Sequence, residues 1–345
     1  GLGNHLTLLL LGPAFLVMLW ARRSRLPSSV GRISAVLLPF ILGLGVYIYL
    51  PLRAAHYPPV NWGDPQTVGG FLWTVAGRTY RSYLFGLPLR YVPDRLGAWS
   101  RLLVDQFGWW GLFPGLAGLW SLWQHNRAFA LATVLTVFSY SIYAVAYDTT
   151  DSHLYLIPAY LVFAVWLGWG VSWVHWRLPD RGAPLARGML VSVLALVLVL
   201  PSLFINFRAL DLSAEHEARD YGRETMAALA TDALLITSAD HHTFTLWYYR
   251  YAEEQRPDVA IVAEGLLYYD WYRRTVGRVH QDLAPSLAAL NALPGCNRTP
   301  DRLLEALIRE TLDRRPVYLT DPDEAIEAGY ELSREGPVYR VVRVQ

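Results

Sequence analysis

Six apolar stretches recur along the first 206 residues, at roughly 4–21, 33–52, 107–123, 128–147, 154–176 and 187–206. A bilayer core is crossed by about 17 to 25 residues of helix. No water reaches backbone groups there, so each stretch must satisfy its own N–H and C=O groups and is predicted to be helical. Leu154–Trp176 contains no Asp, Glu or Arg, and Met189–Phe207 is dominated by Leu, Val and Ala. The 14 tryptophans of this 345-residue chain suit a protein with two membrane–water interfaces. The expected fold is therefore a polytopic α-helical membrane domain of about six transmembrane helices over residues 1–208, followed by a small soluble α/β domain over 209–345.

Charge in the short loops sets the orientation. Arg22, Arg23, Arg25 and Arg32 follow the first stretch, Arg127 lies between the third and fourth, and Arg177, Arg181 and Arg187 follow the fifth against Asp180. With alternating helices these loops share one side, which the positive-inside rule makes cytoplasmic. The turn from Asp148 to His153, the loop 53–106 and everything after 207 then lie outside. Within the loop, Val68, Phe71, Leu72, Val75, Ala76, Tyr80, Tyr83 and Leu84 recur at helical spacing. They predict one interfacial helix, with Asp64 as N-cap and Pro65 at its first position.

Composition changes near Ala209. The segment after 207 holds 23 of the 29 acidic residues but only 16 of the 30 basic ones, all of which are arginine. An acidic domain argues against nucleic acid as a partner. Strands are predicted at 233–237, 258–263, 316–320 and 337–344, alternating with helices from Ser213 to about 230, at 242–255 and from Thr299 to 314. That alternation favours a layered domain with a largely parallel sheet. No phosphate-binding glycine loop and no CxxC is present. The single cysteine, Cys296, excludes an internal disulfide.

Four places could carry chemistry. Arg53, His56, Asn61, Trp62 and Asp64 follow the second stretch, where a planar guanidinium could hold a lipid-linked phosphate; in plain structural roles, Asp64 caps a helix and Arg53 reaches the interface. Arg78 and Arg81 lie on the polar side of the predicted interfacial helix, with Tyr80 between them in the sequence; the two arginines suit a pyrophosphate or an anionic headgroup, or simple anchoring. Asp148, Asp151, His153 and Tyr155 crowd the turn before the fifth stretch, where they could bind a divalent metal or activate an acceptor hydroxyl, or form a solvated turn. Asp240 and His242 follow a predicted strand, a favoured ligand position in open α/β sheets. A metal site at Asp240-His241-His242 would need ligands from elsewhere. Ser238 lacks the strained elbow of a hydrolase nucleophile.

Gly3-Asn4-His5-Leu6-Thr7, Tyr49-Leu-Pro-Leu-Arg53, Asn61-Trp-Gly-Asp64-Pro65 and Asp151-x-x-x-Tyr155-x-x-Pro158-Ala159-Tyr160 together resemble the family known as domain of unknown function 2723. Asp240-x-x-Thr243-Phe-x-Leu-Trp247-Tyr and Arg256-Pro-Asp258-Val resemble the soluble tail of its bacterial members. The family is similar to GT-C glycosyltransferases, with animal relatives that are protein O-mannosyltransferases. The resemblance implies a bacterial inner-membrane enzyme. It would pass sugar from a polyprenyl-phosphate donor to a protein or glycan acceptor outside the cytoplasm, amid membrane lipids. It also implies a catalytic acid in a first external loop upstream of Gly1. The chain is accordingly expected to be an N-terminally truncated fragment, inactive alone, with no catalytic residue of its own. His241 departs from the Asn or Asp expected there. Two other readings stay open. One is a membrane-anchored binding or scaffolding module; the other is a transporter or flippase, against which the near absence of charge within the stretches counts.

Overall fold

In the computed structural model, residues 6–25, 29–177, 184–293 and 299–344 are described. Gly3-Asn4-His5, Asp180, Arg181 and Cys296 lie outside them, as does the side chain of Arg187. The helices are α1 (Gly12–Ala21), α2 (Val30–Leu44), α3 (Tyr49–Ala54), α4 (Val68–Val75), α5 (Val92–His125), α6 (Arg127–Ala146), α7 (Ile157–Arg177), α8 (Pro184–Leu210), α9 (Glu217–Ala228), α10 (Asp240–Trp247), α11 (Asp270–Val279), α12 (Ala284–Ala292), α13 (Pro300–Thr311) and α14 (Glu324–Glu327). The strands are β1 (Leu234–Thr237), β2 (Ala260–Ala263), β3 (Val317–Leu319), β4 (Tyr330–Glu335) and β5 (Val338–Arg343). The chain divides into two compact units, one of 1–47 with 76–213 and one of 48–75 with 214–345.

The first unit is helical and apolar. Within the described residues, each of the six expected stretches falls largely on helix. Among the described residues four helical segments are long and apolar enough to cross a membrane: Ile33–Ala54, whose last residues belong to the second unit, Arg127–Ala146, Ser152–Arg177 and Val191–Leu210; Leu6–Ala21 is apolar but shorter. The expected third stretch starts where α5 breaks, at Gly108, whose φ of 67° and ψ of 161° are not helical. A side chain there would strike the ring of Trp110. Below the break, Gly111, Gly115 and Gly118 form a stripe toward α7. A Cβ on Gly115 would meet Phe163, and one on Gly118 would meet the backbone of Trp166 and Gly170. Lipid offers no hydrophobic drive between helices, so this close backbone approach supplies the packing. Trp166 Nε1 donates to Thr133 Oγ1 at 3.0 Å, joining α7 to α6. Asn126 caps α6, its side chain accepting from Phe129 N at 3.1 Å.

The second unit is layered α/β. Its sheet has the order β2-β1-β3-β5-β4, with β2, β1 and β3 parallel and β5 and β4 antiparallel. β1, β2 and β3 are buried along their whole length, as expected for parallel strands covered on both faces. β4 was not foreseen: its alternating polar residues, Glu331, Ser333 and Glu335, belong to a strand paired on one side only. Gly336, with φ 63°, makes the turn to β5.

Several local expectations need correction. Ser213 does not cap α9; His216 holds that position, and its side chain makes no capping hydrogen bond. The expected helix 242–255 begins at Asp240 and passes into a π-helical turn over Tyr248–Ala252. α11 and α12 were missed. Arg273, facing inward on α11, is 1% exposed. It donates to Leu267 O and Asp270 and, at 2.7 Å, to Asn291 Oδ1. Buried arginine with this many acceptors is satisfied; Trp271, Tyr272, Thr275 and Val276 are buried on the same side of the helix, a helical periodicity the sequence does carry.

The predicted interfacial helix is also two pieces. α4 ends at Val75, and a separate 3-10 turn, Arg78–Tyr83, follows Gly77, whose φ is 57°. Asp64 is not the N-cap. Its own φ is 43°, and Thr67 Oγ1 instead accepts from Gly70 N at 3.0 Å, the bond that defines a cap.

Candidate functional site

The sequence-derived residues separate between the two units. In the second unit, Asn61-Trp62-Gly63-Asp64-Pro65 folds into a buried turn. Gly63 and Asp64 both have positive φ, 75° and 43°, and a Cβ on Gly63 would collide with Thr74. Asn61, 6% exposed, donates to Asp64 Oδ1 at 2.8 Å, and Gln66 Nε2 donates to the same oxygen at 2.9 Å. Asp64 Oδ2 faces Arg278 of α11 at 3.8 Å, and the Arg278 guanidinium lies 4.6 Å over the ring of Tyr57. Trp62 meets Trp271 at 5.9 Å between centroids; Trp73 of α4 meets Trp271 at 6.2 Å and Tyr269 at 5.5 Å. These distances suit attractive aromatic pairs. The family-like motif thus ties segment 48–75 onto α11, some 200 residues later in the chain. Arg53 and His56, at the end of the apolar segment Ile33–Ala54, are exposed. His56 Nδ1 is held 2.8 Å from Leu52 O.

In the first unit, Arg78, Tyr80 and Arg81 are exposed on their 3-10 turn. Asp148 is anchored through its backbone, its N–H donating to Tyr83 O at 3.0 Å. Tyr155 packs edge-on against Tyr143 at 4.9 Å and Tyr147 at 5.3 Å. Tyr147 also meets Tyr83 at 5.9 Å. Arg95 was missed by sequence reading. Its guanidinium donates to Ser152 Oγ and, at 2.8 Å, to Thr149 O, fixing the turn that presents Asp148, Asp151 and His153 to solvent. Among the described residues no group of three or more His, Cys, Asp or Glu side chains is placed to hold a metal ion. The divalent-metal expectation therefore gains no ligand set, either here or at Asp240-His241-His242.

The carboxyl ends of the parallel strands gather polar groups. Ser238, just after β1, donates its hydroxyl to Asp321, just after β3. Ser238 N donates to Thr320 Oγ1 at 3.2 Å, and Thr320 Oγ1 to Asp321 Oδ2 at 3.2 Å. His242 Nδ1 lies 3.1 Å from the same Oδ2 but off the line of a good hydrogen bond. The His242 ring stacks on Tyr221 of α9 at 4.7 Å. Burial lowers the His242 pKa, partly opposed by Asp321, and leaves a neutral ring at pH 7. Asp321 is held below the ordinary carboxylate range by Ser238, His242 and Thr320, against the desolvation that alone would raise it. Glu264, just after β2, is raised by burial and then by Asp323, Asp301 and Asp321. Asp240 is exposed in the first turn of α10. Asp321 and Glu264 were overlooked in the sequence, although each directly follows a predicted strand, the same signal that singled out Ser238.

The family described as TMEM260-associated domain 2 matches residues 218–289, inside the α/β unit. A protein from Dictyostelium discoideum described as Protein O-mannosyl-transferase tmem260 is 23% identical over 318 residues, covering 81% of this chain and 38% of its own length. The chain thus spans less than half of that relative. The relative is eukaryotic, so it gives no support to the expected bacterial inner membrane. No solved structure matches. A helical, membrane-associated region followed by a mixed α/β domain is related to the TMEM260-like O-mannosyltransferases.

Proposed function

We propose that this chain is part of a membrane glycosyltransferase of GT-C type, akin to domain of unknown function 2723. Its parent protein transfers a sugar from a polyprenyl-phosphate donor to a protein or glycan acceptor outside the cytoplasm. The observation that carries this reading is the likeness to a protein O-mannosyl-transferase across 81% of the chain, membrane helices and α/β unit together. Arg53, exposed at the end of the apolar segment Ile33–Ala54, is suited to neutralise a lipid phosphate as it leaves. Arg78 and Arg81 offer the same chemistry on their own turn. The reading gives Asn61, Trp62 and Asp64 the task of holding segment 48–75 in shape rather than touching sugar. Asp148, Asp151 and His153 remain exposed groups with which an acceptor hydroxyl could interact.

The test is sugar transfer by membranes containing the natural gene product, supplied with labelled polyprenyl-phosphate sugars and acceptor extract. The Arg53→Ala form should lose transfer while Arg90→Ala retains it. Transfer undiminished in Arg53→Ala would remove Arg53 from the site, and absence of transfer from every donor would sink the glycosyltransferase reading. A binding-module reading is favoured by one observation, that the matched family segment lies wholly within the α/β unit.

A further inference from the structure

We propose that the α/β unit binds a polyol phosphate, a phosphate ester carrying free hydroxyls, in the groove between α9 and the π-helical turn that follows α10. This goes beyond the glycosyl-transfer reading and stands without it, because none of the residues given a task in transfer lines the groove.

The groove has a volume of about 490 Å³, and its walls include Arg219 and Arg223 of α9 and Tyr248, Tyr249, Glu253 and Gln255. That volume lies within the range of small-molecule sites, roughly 300–1,000 Å³. Close packing builds it. Gly222 admits Tyr249: a Cβ at Gly222 would lie 2.2 Å from the Tyr249 ring, and the Tyr249 hydroxyl donates to Arg219 O at 3.0 Å. Tyr248 and Tyr249 open the π turn, a wide helical form that recurs at functional sites. Just beyond it, Glu254 and Arg256 take φ of 54° and 47°, backbone strain of the kind stored at binding sites. Between them Gln255 is held by its N–H, which donates to Tyr249 O at 3.0 Å.

Charge then selects the ligand. The segment after 207 is acidic, yet this groove sets two arginines against one glutamate. Arg219 and Arg223, four residues apart, stand side by side on one face of α9. Arg219 gives Nε to Asp220 at 3.0 Å, which leaves its terminal nitrogens for a ligand. Arg223 has no hydrogen-bond or ion-pair partner among the described residues. Two planar guanidinium forks suit a tetrahedral dianion gripped from two sides, whereas a single fork already fills a carboxylate. Glu253 decides what the phosphate carries. Its Oε1 accepts the Tyr248 hydroxyl at 2.5 Å, so the other oxygen faces the groove as an acceptor and repels a second anionic group. Hydroxyls match that acceptor and the Gln255 amide, which both donates and accepts. Tyr248 is 54% exposed, and its ring adds an amphipathic wall for the carbon frame of a polyol. A free polyol phosphate and the headgroup of a glycerol phospholipid share this chemistry.

The experiment uses the whole chain in a polyoxyethylene detergent, which carries no charge. Saturation-transfer NMR is recorded with free glycerol phosphate and glucose phosphate, and with glucose and succinate as probes that lack the phosphate. Native mass spectrometry compares dioctanoyl phosphatidylglycerol with dioctanoyl phosphatidylcholine. Arg223→Gln should raise the Kd of the bound phosphate ester by about tenfold or more, the loss of hydrogen bonds between charged groups, with near-UV circular dichroism unchanged. Arg219→Gln should weaken the same probe and keeps the test decisive if Arg223→Gln misfolds. Arg309→Gln, on the exposed side of α13, should leave binding as it is. Binding of the free esters that is sensitive to Arg223 supports the proposal with a soluble ligand, and such binding of phosphatidylglycerol alone supports it with a lipid headgroup. Binding of neither, equal binding by Arg223→Gln and Arg219→Gln, or succinate held as tightly as the esters would each overturn it.

Discussion

Trp271 offers the sharpest test of how segment 48–75 is held. Its side chain is 9% exposed and touches Trp62, Trp73, Tyr269 and Tyr272. Truncating a buried tryptophan to alanine costs about 3–5 kcal/mol. One term works the other way: the indole Nε1–H is buried with no acceptor, and an unsatisfied donor costs about 1–3 kcal/mol, which truncation relieves. The net loss for Trp271→Ala is then on the order of 2 kcal/mol, or a rise of about 30-fold in opening of the segment. Trp271→Phe removes the orphan donor, keeps a ring against Trp62 and Tyr269, and should stay within about 1 kcal/mol of the native protein. Hydrogen–deuterium exchange on the whole chain in detergent reads this directly. Peptides covering 57–75 should lose protection in Trp271→Ala while β1 keeps its own. Unchanged protection of 57–75 would show that the ring cluster does not hold the segment. A phenylalanine variant as damaging as alanine would show that the indole N–H is satisfied after all.

The remaining predictions concern other parts of the two units. His280 is 8% exposed, and burial, with Arg250 and Arg315 acting in the same sense, depresses its pKa to about 4. Because the folded state resists protonation, stability of the α/β unit is full above the unfolded value near pH 6.5. It falls as pH drops from there toward 4, by about 3 kcal/mol in all; His280→Gln should flatten that slope in denaturant titrations between pH 7 and 4. Arg256 donates to the carbonyls of Met226, Leu229 and Ala230 and pairs with Asp258 at 2.8 Å. Arg256→Met should therefore cost about 1–3 kcal/mol, read as a lower denaturation midpoint, because three carbonyls lose their donor and Asp258 is left with the Asp232 N–H. Gly118→Ala places a methyl group against the backbone of Trp166 and Gly170; it should lower thermal stability in detergent by about 1–3 kcal/mol, whereas Gly168→Ala, which meets open space, should not.

The legible part of this protein follows from local rules. The length of an apolar run against the thickness of a bilayer places the helices of the first unit, and a short run of β-branched and apolar residues places β1, β2 and β3. Signals that competed locally were misread. Asp64-Pro65 has the composition of a helix start, yet Gly63 and Asp64 take positive φ and pass the cap to Thr67. α11 carries Arg273, Arg274 and Arg278 among its ten residues; its buried face of Trp271, Tyr272, Thr275 and Val276 does recur at helical spacing, so the signal was in the sequence and was passed over. β4 opens with Tyr330 and Leu332 alternating with Glu331 and Ser333, a run too short to stand out until it is paired with β5.

The sequence alone determined that the chain begins as apolar helices and ends as an acidic α/β domain, because burial of apolar length and alternation of strand and helix act over 5 to 25 neighbouring residues. Only the tertiary structure decided which distant residues meet. It set Trp62, Asp64 and Trp73 against α11, Arg95 against the turn at Ser152, and Ser238 against Asp321 across two strands. These pairings are separated by tens to hundreds of residues, and no local period encodes them. They arise when packing brings a donor and an acceptor, or two rings, into a space neither segment defines by itself.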